Sequence, residues 1–184
     1  MDIDEIIGHA TSPGGVLVLR PGPGDGSPEA AWGDVFLYWA PDGVVPRTQP
    51  FATVATKDVP GDRSSRLDRP GTFRVDVGVG REEFTALVGR APREPAGDDE
   101  PAPDATDTVP AHPVHGELGW VYVVDPGPRT EATVRDLLTR ARAGPGADGA
   151  AGAGVRNTTA PLLREERGRG GVSTKTCTRR DSNP

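Results

Sequence analysis

The sequence predicts an α+β fold, a single domain in which helices pack on a mainly antiparallel sheet. Three observations carry this expectation. Short apolar runs bounded by Pro, Gly and Asp recur along the chain, as strands do. The links between most of them are too short for the crossovers that parallel strands need. Helical spacing of apolar residues is confined to the two ends and to one short stretch between strands.

Taken in order, Asp2 is placed to cap a first helix in which Ile3, Ile6, Ile7 and Ala10 share one face. Ser12-Pro13-Gly14-Gly15 ends it. Val16–Leu19 is a short continuous apolar run, read as a buried strand, and a Pro/Gly loop follows from Pro21 to Pro28. Val35–Trp39 and Phe51–Thr56 are the next strands, with a turn at Pro41-Asp42-Gly43. Lys57–Gly71 is a polar loop. Thr72–Val77 alternates, which predicts a strand with one face in water that offers Arg74 and Asp76 to solvent. Arg81–Val88 is a short helix with Phe84, Leu87 and Val88 inward, closed by Gly89.

Residues 90–109 are rich in Pro, Asp, Glu and Ala, have little to bury, and are expected to be a flexible acidic insertion. Trp120–Val124 is the last strand. Thr130–Arg142 is the last helix, with Val134, Leu137, Leu138 and Ala141 as its buried stripe. The domain is thus expected to span 1–143. Residues 144–184 contain no aromatic residue and few large aliphatics, so a disordered tail is expected there.

Charge narrows the function classes. Residues 1–143 carry 14 Arg and Lys against 23 Asp and Glu, a net −9, whereas 144–184 carry 7 against 4, a net +3. A body so acidic suits a nucleic-acid backbone poorly. Lys57 and Lys175 are the only lysines, so the many arginines reflect a compositional bias as much as a need for phosphate recognition. The single Cys177 allows no intrachain disulfide, and Met1-Asp2-Ile3-Asp4-Glu5 is acidic where a secretory leader is basic. With no apolar run near the roughly 18 residues of a membrane span, a cytoplasmic location and no membrane partner are expected.

Several uncommon strings recur in a fixed order. They are Gly15–Glu29, Trp32–Tyr38, Gln49–Asp58, Leu67–Phe84, and His-Pro-Val-His-Gly followed by Gly-Trp-Val-Tyr-Val-Val-Asp-Pro-Gly. Together they resemble an actinobacterial family known as domain of unknown function 6194, over Met1 to about Arg142. A looser likeness is to small α+β domains of the MmcQ/YjbR-like kind, some of them labelled DNA-binding. The resemblance implies a fold and no activity. The chain departs from the family pattern at His115, where members usually carry Tyr. It departs again in the tail beyond Ala143, whose composition would suit a shifted reading frame.

The chemistry-bearing residues are few. His112 and His115 stand three apart, a spacing open to a metal, but no cysteine or third histidine lies near, and neither metal nor cofactor is expected. His112 is the candidate acid–base residue, with Asp58 or Glu117 as partner. Lys57, Arg63, Arg66 and Arg69, with Ser64 and Ser65, furnish a loop able to hold a carboxylate or phosphate, although Asp58, Asp62 and Asp68 are interleaved and able to pair with them. Gly78-Val79-Gly80-Arg81 begins a helix whose free amides attract anions, which adds Arg81. Trp32, Phe36, Tyr38, Phe51, Phe73 and Trp120 are read as core. No Gly-x-Ser-x-Gly elbow exists and Cys177 lies in the tail, so no nucleophile is evident. The leading expectation is a non-enzymatic module that binds a small anionic ligand or a protein partner. The alternatives are an enzyme built on His112 and, least expected, a nucleic-acid-binding domain.

Overall fold

The computed structural model describes residues 1–12 and 14–143; the expected tail and Cys177 lie outside them. The elements run α1 (Ile3–Thr11), β1 (Val16–Leu19), β2 (Val35–Trp39), β3 (Ala52–Ala55), β4 (Arg74–Gly78), α2 (Gly80–Val88), β5 (Trp120–Val124) and α3 (Glu131–Arg142). Short 3₁₀ turns occupy Glu29–Ala31 and Gly116–Leu118. The five strands form one sheet in chain order, each antiparallel to the next.

Register explains the two faces. Leu37, Ala52, Val77 and Val121 stand opposite one another across four strands, as do Val35, Val54, Val75 and Val123. All eight are buried in a core with Ile6 and Ala10 of α1, Phe84 of α2, and Val134, Leu137 and Leu138 of α3. Side chains alternate along a strand, so the intervening row faces the other way: Phe36, Thr53, Asp76 and Tyr122. The helices begin and end as their sequences predict. Asp2 Oδ1 accepts from the Glu5 amide, and the Glu5 side chain returns the bond to Asp2 N, a complete capping box. Gly89, at φ +82°, closes α2.

The second face departs from expectation. Arg74 and Asp76, expected in water, are 3 % and 4 % exposed. Alternation read the face correctly but not its cover. The 57–71 loop folds back over it, placing Leu67 in a small core with Tyr122 and Val124.

Residues 90–109 make a set of polar contacts, and Val109 packs against the main core. Arg90 pairs with Glu100, and the Pro103 carbonyl accepts from the Tyr122 hydroxyl at 2.8 Å. Thr106 bridges to Val124, and Ala111 to Val121, so the segment covers the outer edge of β5. Asp107 fastens it. Its Oδ1 accepts from the Gly127 and Thr130 amides, each at 2.9 Å, and from the Thr130 hydroxyl, while Oδ2 accepts from the Arg129 amide. These bonds at the entry to α3, the Thr130 hydroxyl foremost, hold the Asp107 carboxyl far below the usual carboxylate range.

Stabilisation by a group with a lowered pKa is present above the ordinary carboxylate range and is lost as pH falls through the folded value. Asp107→Asn is therefore expected to lower Tm at pH 7 and to lose much of that difference in strong acid. Hydrogen exchange provides the local check: the amide of Asp107, which donates to the Val124 carbonyl, should lose protection while the β1–β2 amides keep theirs.

Candidate functional site

On the loop-covered face, β4 carries Arg74 and Asp76 on the same side of the strand, two residues apart. The 57–71 loop brings Asp62 and Ser65 to them, and the 111–117 turn brings His112. The guanidinium has five N–H groups, and each has an acceptor. Nε donates to Asp76 Oδ1 at 2.6 Å. Nη1 donates to Asp62 Oδ1 at 3.1 Å and to Ser65 Oγ at 3.0 Å. Nη2 donates to Asp62 Oδ2 at 2.7 Å and to Asp76 Oδ2 at 3.3 Å. The cation also lies 5.3 Å from the centre of the Tyr122 ring. Thr53 completes Asp76 with a bond of 2.9 Å to Oδ2.

Burial by itself would raise the Asp76 carboxyl; Arg74, and then His112, bring it down to about 2. Burial would lower Arg74, and the two carboxylates more than reverse that. Burial pushes the Tyr122 hydroxyl up to about 12.

The turn that presents His112 is held at both ends. Its amide donates to the Trp120 carbonyl at 2.9 Å, and its carbonyl accepts from the Gly116 amide at 2.8 Å. Gly119, at φ +77°, lets the turn approach α2 closely: a Cβ there would meet the Gly80 backbone at 3.0 Å. The His112 Nδ1 accepts from the amides of Val114 and His115, at 3.1 and 3.0 Å. Two amides aimed at one nitrogen require its lone pair, which places the proton on Nε2. Nε2 stands 3.2 Å from Arg74 Nη2 and 3.6 Å from Asp76 Oδ1; Nη2 already donates to two carboxylates, so the Nε2 N–H is left to Asp76. His112 therefore positions Asp76, and with Nδ1 engaged by two amides it has no free lone pair with which to act as a base.

Beside this cluster a cleft of about 380 Å³ opens on the sheet. Asp62, Arg74, Asp76 and Thr53 form part of its lining, with His112 and His115 at one side. Pro28, Ala30, Asp34 and Phe36 belong to the same lining. The cleft joins the 57–71 loop, through Val59 and Pro60, to the 111–117 turn.

Asp34 was invisible as a site residue in the sequence. It is 9 % exposed, and its Oδ1 accepts from the Thr56 amide at 2.8 Å and hydroxyl at 3.0 Å. Burial raises its carboxyl above the usual value despite those bonds. His115, half-buried, has a ring centre 4.8 Å from that of His112 and 6.2 Å from that of Trp120. Burial and the neighbouring His112 lower its pKa, so at pH 7 it is a neutral imidazole at the cleft wall.

The residues proposed from sequence are distributed differently. His112 reaches the site, but the carboxylate beside it is Asp76 rather than Asp58 or Glu117. Asp58 Oδ1 instead accepts from the Leu67 amide and so shapes the loop. None of Lys57, Arg63, Arg66, Arg69 and Arg81 lines the cleft. Lys57 Nζ donates to the carbonyls of Glu29 and Trp32, at 2.9 and 2.6 Å. Arg66 pairs with Asp104, and Arg69 donates to the Arg66 and Ser65 carbonyls. At the start of α2 the amides of Val79 and Gly80 donate to the Gly119 carbonyl, so the loop that suggested an anion seat beside Arg81 has an internal acceptor. Arg74 and Asp76 were in view as a charged pair on one strand face. The signal that they belong inside was Phe36 and Tyr122, bulky residues at the same parity on other strands.

Two outcomes check this geometry. Arg74→Met leaves the buried Asp76 and the partly buried Asp62 without their cation and is expected to cost about 3–5 kcal/mol, a loss that adding Asp62→Leu and Asp76→Leu partly restores in chemical denaturation. Because the Asp76 value is lowered, its contribution of the order of 2 kcal/mol is full above the ordinary carboxylate range and declines as pH falls toward about 2. For His112, ring-nitrogen NMR at pH 7.5 is expected to show the proton on Nε2; a proton on Nδ1 would contradict the two amide bonds.

Among the described residues no helix is long and apolar enough to cross a membrane. No curated protein and no solved structure matches the chain. A family model described as a family of unknown function, DUF6194, matches residues 1–146, and the chain belongs to that family.

Proposed function

We propose that the chain is a binding module whose cleft on the loop-covered face of the sheet takes a small organic ligand. One observation carries this reading: a single cleft joins the 57–71 loop to the 111–117 turn above a buried polar floor. Its volume, about 380 Å³, lies within the range of small-molecule sites. Its make-up also suits one, with apolar surface from Phe36, Trp120 and prolines beside a few fixed polar groups.

The floor is rigid for a physical reason. Every Arg74 donor is engaged, so a ligand meets a preorganised surface rather than one that must reorder. Binding is favoured over acid–base catalysis by the state of His112, whose acceptor nitrogen is already engaged by two amides. Ser65, fully buried and bonded to Arg74, is no more available as a nucleophile.

The test is a small-molecule screen by thermal shift on the full chain and on Ala30→Trp. Ala30 is exposed at the cleft rim, so an indole there fills the opening without entering the core. Compounds that raise the wild-type Tm are expected to lose their effect in Ala30→Trp, whose own Tm stays near wild type. Hits that stabilise both proteins equally would place binding elsewhere and refute the reading.

A further inference from the structure

Resting on the cleft assignment, we infer that the ligand carries a cationic or strongly hydrogen-bond-donating group, an amidinium or ammonium in class, and that Asp34 receives it. The anionic ligand expected from sequence has little to bind here. Three carboxylates, Asp34, Asp62 and Asp76, line the cleft against one guanidinium. That guanidinium has no N–H left to offer, and the lining holds two more carboxylates than guanidiniums. Lys57, the cation that acts on Asp34, does not line the cleft and directs its ammonium at two carbonyls.

Asp34 supplies an independent observation. Its Oδ1 holds the Thr56 amide and hydroxyl, but its Oδ2 accepts from no donor among the described residues. None of the sealed side-chain nitrogen and oxygen atoms there lacks a partner, so this oxygen is open to the cleft rather than entombed. A buried carboxylate with one oxygen satisfied and the other without a donor is a seat for a donor. Gly33 helps to set it. At φ +87° it turns the chain into β2, and a Cβ there would crowd the Thr56 hydroxyl at 3.2 Å. Phe36 and Trp120 line the same cleft and suit a planar group attached to the cation.

The test uses three probes of one shape and different charge: benzamidine, benzamide and benzoate. Binding to the uniformly ¹⁵N-labelled full chain is followed through the indole N–H of Trp120, assigned with Trp120→Phe. Benzamidine is expected to shift that signal at concentrations roughly tenfold below those benzoate needs, with benzamide between. In Asp34→Asn the benzamidine affinity is expected to fall about tenfold, and that of benzamide to change less than about twofold.

Benzoate binding as tightly as benzamidine, with the same indole shift, would overturn the charge assignment and leave the cleft reading standing. The wild-type series decides this even if Asp34→Asn does not fold. An unchanged benzamidine affinity in a folded Asp34→Asn would remove Asp34 from the site. No indole shift with any of the three would defeat both the cleft reading and this inference.

Discussion

The structure depends on how a buried guanidinium is compensated. Arg74 sits on β4, a strand whose other face is fully apolar, and it is almost without contact with water. An uncompensated charge at such depth would cost several kcal/mol. The chain surrounds it with two carboxylates, a hydroxyl and an aromatic ring, contributed by three separate segments. Asp76 comes from the same strand, Asp62 and Ser65 from the loop before it, and Tyr122 from the neighbouring strand. An ionic core of this kind gives direction where an apolar one would give only adhesion. Carboxylates must meet N–H groups at fixed angles, so the 57–71 loop has one place to sit.

The cleft is a consequence of that placement. One face of the sheet is closed by three amphipathic helices, as the apolar periodicity of their sequences demands. The other face is covered by loops, and loops cover incompletely. Leu67 fills the end over Tyr122 and Val124, and the 103–112 segment seals the outer edge of β5. A cleft remains over β2 and β3, lined by residues of the 28–36 segment and of the histidine turn. Asp107 belongs to the same construction from a distance: by holding its segment against the entry to α3, it fixes the start of the turn that delivers His112.

Much of this was legible in the sequence. Every strand and helix follows from apolar spacing, a cap or a closing glycine, because those signals are local. The antiparallel order followed from short connections. What the sequence did not disclose is what requires three-dimensional closure. Arg74 and Asp76 alternate with Phe73, Val75 and Val77 as a solvated face would, and only the Leu67 loop folding back turns them inward. The 90–109 segment has the composition of a free loop, and composition does not register the bonds of Asp107 or the main-chain bonds to β5. His112 is conspicuous in the sequence, but its orientation beside Asp76 rests on two amides from the residues beyond it. The exposed arginines attracted notice by charge, whereas Asp34 looked like one acidic residue among many.

The contrast between Arg74 and Asp34 orders the chemistry of the cleft. Both are buried, both are charged in their ordinary state, and both border the same opening. Arg74 is saturated; any ligand group placed near it must displace a carboxylate that already binds it at short range. Asp34 is saturated on one oxygen only, and burial makes its charged form costly until a donor arrives. A donor brought to the free oxygen removes part of that cost, while an anion brought to the same place increases it. The asymmetry does not depend on the identity of the ligand. It follows from which donors and acceptors the fold has already paired, so the sign of the group that the cleft accepts is set by the residues left over.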